Sequence, residues 1–185
     1  NDDHPHADIR LGQQFISEVV NAFIDSPQWT RGALFINYDE WGGFFDTSAP
    51  PQVADERAAQ GFDQLGFRVP AAVISPFATG GLASHTYDHT SILKFIEWRY
   101  GLGNLTMRDA AARNIGEVLD FSIKAARRDK PEIRRYVAPP EAREGCSVHE
   151  APVPVSDLTV MRDAGIFDAL GMRTDYRFED SFRSF

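Results

Sequence analysis

The chain has 185 residues, a length that suits one domain or one piece of a larger one. Hydrophobic residues make up 43% and charged residues 25%, which are ordinary proportions for a globular protein. A formal net charge of −8, with no uninterrupted basic block, disfavours nucleic acid as the main partner. No apolar run reaches the roughly 20 residues that a membrane-spanning helix needs, so we expect no transmembrane segment. The single cysteine excludes an intrachain disulfide.

The first part of the chain is predicted to place a helix beside a strand. Apolar residues recur at every fourth position from Leu11 to Phe23, which predicts an amphipathic helix from Asp8 to Asp25. Asp8 is a suitable N-cap, and Ser26-Pro27 ends the helix. The short apolar run from Ala33 to Tyr38 then predicts a buried strand. A helix packed on a sheet is the building unit of α/β folds.

The middle of the chain repeats this pattern. Residues 68–76 predict a second buried strand, in which Pro70 fits only at the start, where no hydrogen bond of the sheet is lost. The segment from Asp88 to Arg99 predicts a helix, and Thr106 is expected to cap a short helix that runs to Ala112. Residues 117–155 are punctuated by prolines and are predicted to be largely irregular and to wrap over the core. A last helix is predicted near 158–170.

An acidic turn follows the first predicted strand, and it is the most informative stretch of the sequence. Asp39 and Glu40 end the apolar run, and Gly42 and Gly43 follow almost at once. In open α/β sheets, ligands bind beyond the carboxyl ends of the strands. Two adjacent carboxylates repel each other, and a divalent cation compensates them well. The pattern therefore indicates a metal site, with a solvated acidic turn as the alternative.

The histidines supply further candidates for a site. His4 is a candidate to contact a phosphate oxygen or to act as a general acid, although spacing alone favours a flexible terminal segment with solvated histidines. His85 and His89 lie between the second strand and the following helix, where sites are commonly built. Asp88 has a purely structural explanation as the N-cap of that helix.

Several segments, in this order along the chain, are similar to one known family. They resemble the phosphoesterases that include non-specific phospholipases C of bacteria and plants and the bacterial acid phosphatase A type. The likeness covers roughly Asp2 to Phe121. The matching segments are Asp3-His4-Pro5 with Asp8-Ile9-Arg10, Ser26-Pro27-Gln28-Trp29, residues 38–46, residues 66–70, Ser75-Pro76, and residues 87–98.

The resemblance implies an alkaline-phosphatase-like α/β fold, present here only in part, and metal-assisted hydrolysis of phosphate esters. It implies that Asp39 and Glu40 are ligands of a divalent metal ion and that His4 lies at the phosphate. His85, Asp88 and His89 are expected at most to orient the metal ligands without binding the metal, or to begin the helix. Residues 1–121 would be the carboxyl-terminal part of the phosphoesterase domain, and residues 122–185 an irregular extension. The family also implies a periplasmic or secreted protein.

Two departures from the family pattern bear on activity. The family usually has Asp-His where this chain has Asp46-Thr47, so a histidine expected near the substrate is absent. The Glu-Asn-x-Ser-Phe-Asp motif and the Thr or Ser nucleophile of the family do not occur in these 185 residues. We therefore expect the chain alone to be inactive and a further segment of the same domain, or a companion chain, to complete the site.

Two other classes of function compete with this prediction. The chain could be a non-catalytic module that binds metal or phosphate, degenerate at Thr47. It could also be an interaction domain in which the acidic turn binds nothing. Lipid and soluble phosphate esters remain equal alternatives for the substrate, because the absence of an amphipathic membrane helix favours neither.

Overall fold

The computed structural model describes residues 3–4, 7–122, 129–142 and 163–169. In chain order, the helices are α1 (Ile9–Asp25), α2 (Thr90–Tyr100), α3 (Met107–Ala111) and α4 (Ile166–Ala169), and the strands are β1 (Leu34–Asn37) and β2 (Ala71–Ile74). Short 3-10 turns lie at Trp29–Arg31, Ala58–Gln60 and Ile115–Val118. The described residues therefore form a mixed helix and sheet structure, in agreement with the predicted α/β class. Within them, no helix has the length and apolarity required to cross a membrane.

The chain divides into two compact units that interleave along the sequence. The first contains the described residues of Asn1–Gly42, Val69–Thr86 and Ile115–Ala151. The second contains the described residues of Gly43–Arg68, Tyr87–Asn114 and Pro152–Phe185. The boundary after residue 121, which the sequence suggests, stays a prediction.

Helix α1 forms where the sequence predicts it, in the first unit. The Asp8 carboxylate accepts from the backbone N–H of Arg10 at 3.1 Å, as an N-cap should. At the other end, the Ser26 hydroxyl donates to the carbonyl of Phe23 at 2.7 Å, and Pro27 prevents the helix from continuing. The chain then turns through Trp29, which is only 3% exposed and meets the ring of Phe23 edge to face at 5.7 Å.

Strands β1 and β2 pair antiparallel, from Leu34 opposite Ile74 to Asn37 opposite Ala71. Pro70 precedes β2, as predicted, and its carbonyl accepts from the backbone N–H of Tyr38 at 3.2 Å. The prediction that both strands are buried is wrong, because their residues are partly or fully exposed. These two strands are the whole sheet of the described residues, so each side chain has one neighbouring strand at most.

Residues 129–142 contain no helix or strand, as predicted, and lie along α1 in the opposite direction. The backbone N–H of Tyr136 donates to the hydroxyl of Ser17 at 2.9 Å, and that of Ala138 donates to the side-chain oxygen of Gln14 at 2.8 Å. Lys130 and Arg135 bind Asp25 near the end of the helix. Residues 129–142 therefore cover one side of α1. The remainder of the irregular segment, at 123–128 and 143–155, lies outside the described residues.

The second unit contains two capped helices. The backbone of α2 ends at Gly101, whose φ of 65° only glycine adopts without strain. Helix α3 begins after Thr106, which caps it as predicted, and the structure adds a reciprocal capping box between Thr106 and Asp109. Of the helix predicted near 158–170, residues 158–162 and 170 lie outside the described residues. Within 163–169, Gly165 has a φ of 69° and α4 begins after it.

Candidate functional site

The acidic turn leaves β1 at the point where that strand meets the start of β2. Asp39 and Glu40 are both exposed, and they follow directly on Tyr38. Because β1 and β2 run antiparallel, the carboxyl end of β1 lies beside the amino end of β2. The hydrogen bond between Tyr38 and Pro70 therefore fixes the start of the turn beside the start of β2.

Two glycines shape the backbone after the acidic residues. Gly42 and Gly43 have φ values of 68° and 79°, in the region that a side chain makes unfavourable. This turn directs the backbone N–H of Gly42 to the Glu40 carboxylate, which accepts it at 2.6 Å. Glu40 is thus oriented by its own turn, and one of its oxygens already accepts a backbone N–H.

Asp3, the residue before His4, contacts Tyr38, the residue before the acidic turn. The hydroxyl of Tyr38 donates to the Asp3 carboxylate at 2.5 Å, although the two residues are 35 apart in sequence. This hydrogen bond with Asp3, together with burial, raises the pKa of the Tyr38 hydroxyl to about 12. The structure therefore connects the residue before His4 to the residue before Asp39 within the first unit.

The acidic turn offers two adjacent carboxylates as possible ligands of a cation. No group of three or more His, Cys, Asp or Glu side chains with metal-ligand geometry occurs among residues 3–4, 7–122, 129–142 and 163–169. Exposed carboxylate oxygens are the ligands that hard divalent cations accept, and Asp39 and Glu40 provide them. These residues fit part of a metal site, and water or other donors would complete the coordination.

The other predicted site residues have well-defined surroundings. Asp88 accepts from the backbone N–H of Thr90 at 2.7 Å and from its hydroxyl at 2.5 Å, while Ser91 accepts from the N–H of Asp88 at 3.1 Å. This is the geometry of a helix cap, which agrees with the structural interpretation of Asp88. His89 follows it and is exposed. His85 is also exposed and belongs to the first unit, whereas Asp88 and His89 belong to the second.

Three polar residues of the matching segments have structural partners. Arg68 binds Asp46 through two side-chain nitrogens, both at 2.7 Å, and this pairing holds the pKa of Asp46 well below its usual value. Arg10 pairs with Asp8 at 2.7 Å. Ser75 is used structurally as well, since its hydroxyl donates to the carbonyl of Gly32 at 2.9 Å.

Comparison with known proteins identifies the family. The pattern of the phosphoesterase family matches residues 1–103, which is more than half of the chain. The chain belongs to the phosphoesterase family. Non-specific phospholipase C6 of Arabidopsis thaliana is 37% identical, in a match that covers 78% of this chain and 31% of that protein. Non-specific phospholipase C1 of the same plant is 33% identical, over 85% of this chain and 34% of that protein.

A bacterial relative is likewise similar to this chain over only part of its own length. Phospholipase C B of Mycobacterium tuberculosis (strain H37Rv) is 36% identical, over 65% of this chain and 27% of that protein. The phosphoesterase chain thus spans about a third of the length of the relatives it matches. The acidic turn, the His4 segment and the start of α2 all lie inside the residues that the family pattern matches.

Two arrangements in this family member could not be predicted from the sequence. Asp3 and Tyr38 each stand in a family segment, but nothing in their spacing shows that they bind one another. In the second unit, Glu97 and Asp109 lie together and are 6% and 1% exposed. Glu97 stands next to Ile96 in a helix of mixed composition, so its position alone gave no signal of burial.

Proposed function

We propose that this chain forms part of the active site of an alkaline-phosphatase-like phosphoesterase domain that hydrolyses phosphate esters with the help of a divalent metal ion. In this proposal Asp39 and Glu40 contribute two metal ligands, and His4 contacts the phosphate. A bound cation would polarise the phosphate and lower the pKa of the nucleophile. The nucleophile is expected from a segment of the same domain, or a companion chain, that is not among these 185 residues.

One observation carries the proposal. The hydrogen bond between Tyr38 and Asp3, at 2.5 Å, joins the segment of His4 to the turn of Asp39 and Glu40. A phosphate that binds a metal ion and an imidazole at the same time requires these two segments to be neighbours. The family match and the relatives named phospholipase C support phosphate esters as the substrate class.

Metal binding is tested by calorimetric titration of the chain with Mn²⁺, Mg²⁺ and Ca²⁺. We expect Asp39→Asn and Glu40→Gln each to weaken binding at least tenfold, because each removes a charged ligand. Glu18→Gln is the matched control, since it removes an exposed carboxylate of α1 and the same unit of charge. Equal affinity in the parent, Asp39→Asn and Glu18→Gln would contradict the metal assignment.

The role of His4 is tested with inorganic phosphate as the probe. With metal bound, phosphate should shift the NMR signals of the His4 imidazole more than those of the other four histidines, which serve as internal references. A shift of the same size at all five histidines would remove His4 from the proposed site.

Catalysis is tested with p-nitrophenyl phosphate and with phosphatidylcholine. We expect no turnover by the chain alone, and turnover by the protein that also carries the nucleophile segment. In that protein, Asp39→Asn should abolish the activity, and Thr47→His should increase it if the missing histidine limits the rate. Preference for either ester assigns a lipid or a soluble substrate, and cell fractionation tests the proposed periplasmic or secreted location.

A further inference from the structure

The Asp3 carboxylate is held in an unusual position in the first unit. One oxygen, Oδ2, accepts the hydroxyl of Tyr38 at 2.5 Å. The other oxygen, Oδ1, is buried and has no hydrogen-bond partner among the described residues. A buried acceptor without a donor destabilises a fold by about 1–3 kcal/mol, so an arrangement that retains one calls for an explanation.

Helix α1 accommodates this carboxylate through a glycine. Gly12 is buried in the second turn of α1, and a Cβ added there would lie 1.8 Å from Oδ1 of Asp3. No side chain fits at that distance, so every residue except glycine would displace Asp3. Glycine within a helix is less stable than alanine by about 1 kcal/mol. The unpaired oxygen and the helical glycine therefore each lower stability, and the glycine leaves the space that Asp3 occupies when it contacts Tyr38.

The contact connects the two segments that carry the proposed site. Asp3 immediately precedes His4, and Tyr38 immediately precedes Asp39. Tyr38 is in turn fixed to Pro70 by its backbone N–H. Without the hydrogen bond to Tyr38, the short segment before α1 would lose its described side-chain connection to the end of β1.

From these contacts we infer that Asp3 is a positioning residue, which acts with Gly12 and Tyr38 to hold His4 beside the Asp39–Glu40 turn. We call these three residues the Asp3–Tyr38 clamp. The inference rests on the proposed function, since it assigns the clamp to the assembly of that site. The clamp does not touch substrate. It keeps the imidazole of His4 close to the carboxylates of Asp39 and Glu40.

The clamp is tested without metal, so that its failure is separate from a failure of the metal assignment. A nitroxide is attached at residue 40 through Glu40→Cys in a Cys146→Ser background. The broadening of the His4 backbone amide signal is then measured by NMR. We expect strong broadening in this parent, because Asp3 contacts Tyr38, two residues from the label.

Four variants separate positioning from general stability. Asp3→Ala and Tyr38→Phe should each reduce the broadening of the His4 signal at least twofold, because each removes one partner of the hydrogen bond. Asp3→Asn should retain most of it, since the amide oxygen still accepts from Tyr38. Tyr100→Phe is the matched control, because it removes the hydroxyl of an exposed tyrosine and should change nothing.

Gly12→Ala gives the most selective result. Alanine favours the helix, so the helical signal of α1 should be kept or strengthened, while the added Cβ displaces Asp3 and the broadening at His4 falls. A parent without broadening at His4, or broadening that Asp3→Ala and Gly12→Ala leave unchanged, would overturn the inference. Normal broadening together with absent metal binding would instead overturn the proposed function and leave the clamp standing.

Discussion

Replacement of Trp29 by alanine should destabilise the first unit strongly. Trp29 is 3% exposed, and its ring meets that of Phe23 at 5.7 Å. Truncation of a buried tryptophan removes its apolar contacts and leaves a cavity, at about 3–5 kcal/mol. The aromatic pair accounts for about 0.5–1.5 kcal/mol of such an effect. We therefore expect the free energy of unfolding to fall by about 4 kcal/mol, a large part of the roughly 5–15 kcal/mol typical of a domain.

Urea denaturation followed by far-UV circular dichroism measures this change. With a slope of about 1–3 kcal/mol per molar urea, the midpoint should fall by more than about 1 M at an unchanged slope. Trp98→Ala is the matched control, since Trp98 is 59% exposed and pairs with Phe95 at 5.9 Å. Its effect should stay below about 1.5 kcal/mol. Equal midpoint shifts for the two variants would refute the assignment of Trp29 to the core.

Three further changes have defined outcomes. The neighbouring Asp109 carboxyl and burial raise the pKa of Glu97 above its ordinary value of 4.5. At a pH just above 4.5, folded Glu97 therefore keeps a proton that the unfolded chain releases. The stability that protonated Glu97 contributes is lost as pH rises through its folded pKa. Glu97→Gln should therefore melt higher than the parent in mildly alkaline buffer and show a flatter pH dependence, and parallel curves would contradict this. Thr106→Ala removes half of the capping box and should lower the unfolding free energy by about 1 kcal/mol in urea titrations, whereas the exposed Thr47→Ala should have no effect. Arg68→Gln breaks an ion pair whose arginine side chain is 72% exposed, so it should cost less than about 1 kcal/mol, and a larger, salt-independent loss would argue against a surface pair.

Local patterns predicted the helices well. The period of four, the cap at Asp8 and the stop at Ser26-Pro27 gave α1 almost residue for residue. The cap of α3 at Thr106 was predicted for the same reason, because a cap depends on residues a few positions apart. α2 begins at Thr90, two residues after the predicted start, and the carboxylate of Asp88 accepts from the Thr90 N–H.

Contacts between residues that are far apart in the chain could not be predicted from the sequence. An apolar run of four to six residues indicates a strand, but it does not show the direction of its partner or how many strands cover it. The antiparallel pairing and partial exposure of β1 and β2 are therefore findings of the structure. The hydrogen bond between Asp3 and Tyr38 depends on Gly12, which lies in a third segment. No short-range sequence pattern predicts that these three residues meet.

Residues 129–142 have a consequence for how this protein is made. Arg10 of α1 meets Glu141, which follows it by 131 residues. A ribosome that adds about 5–20 residues per second needs roughly 7–26 seconds to cover that stretch. Throughout this interval α1 is not covered by residues 129–142. Chaperones therefore have time to bind α1 before those residues pack against it.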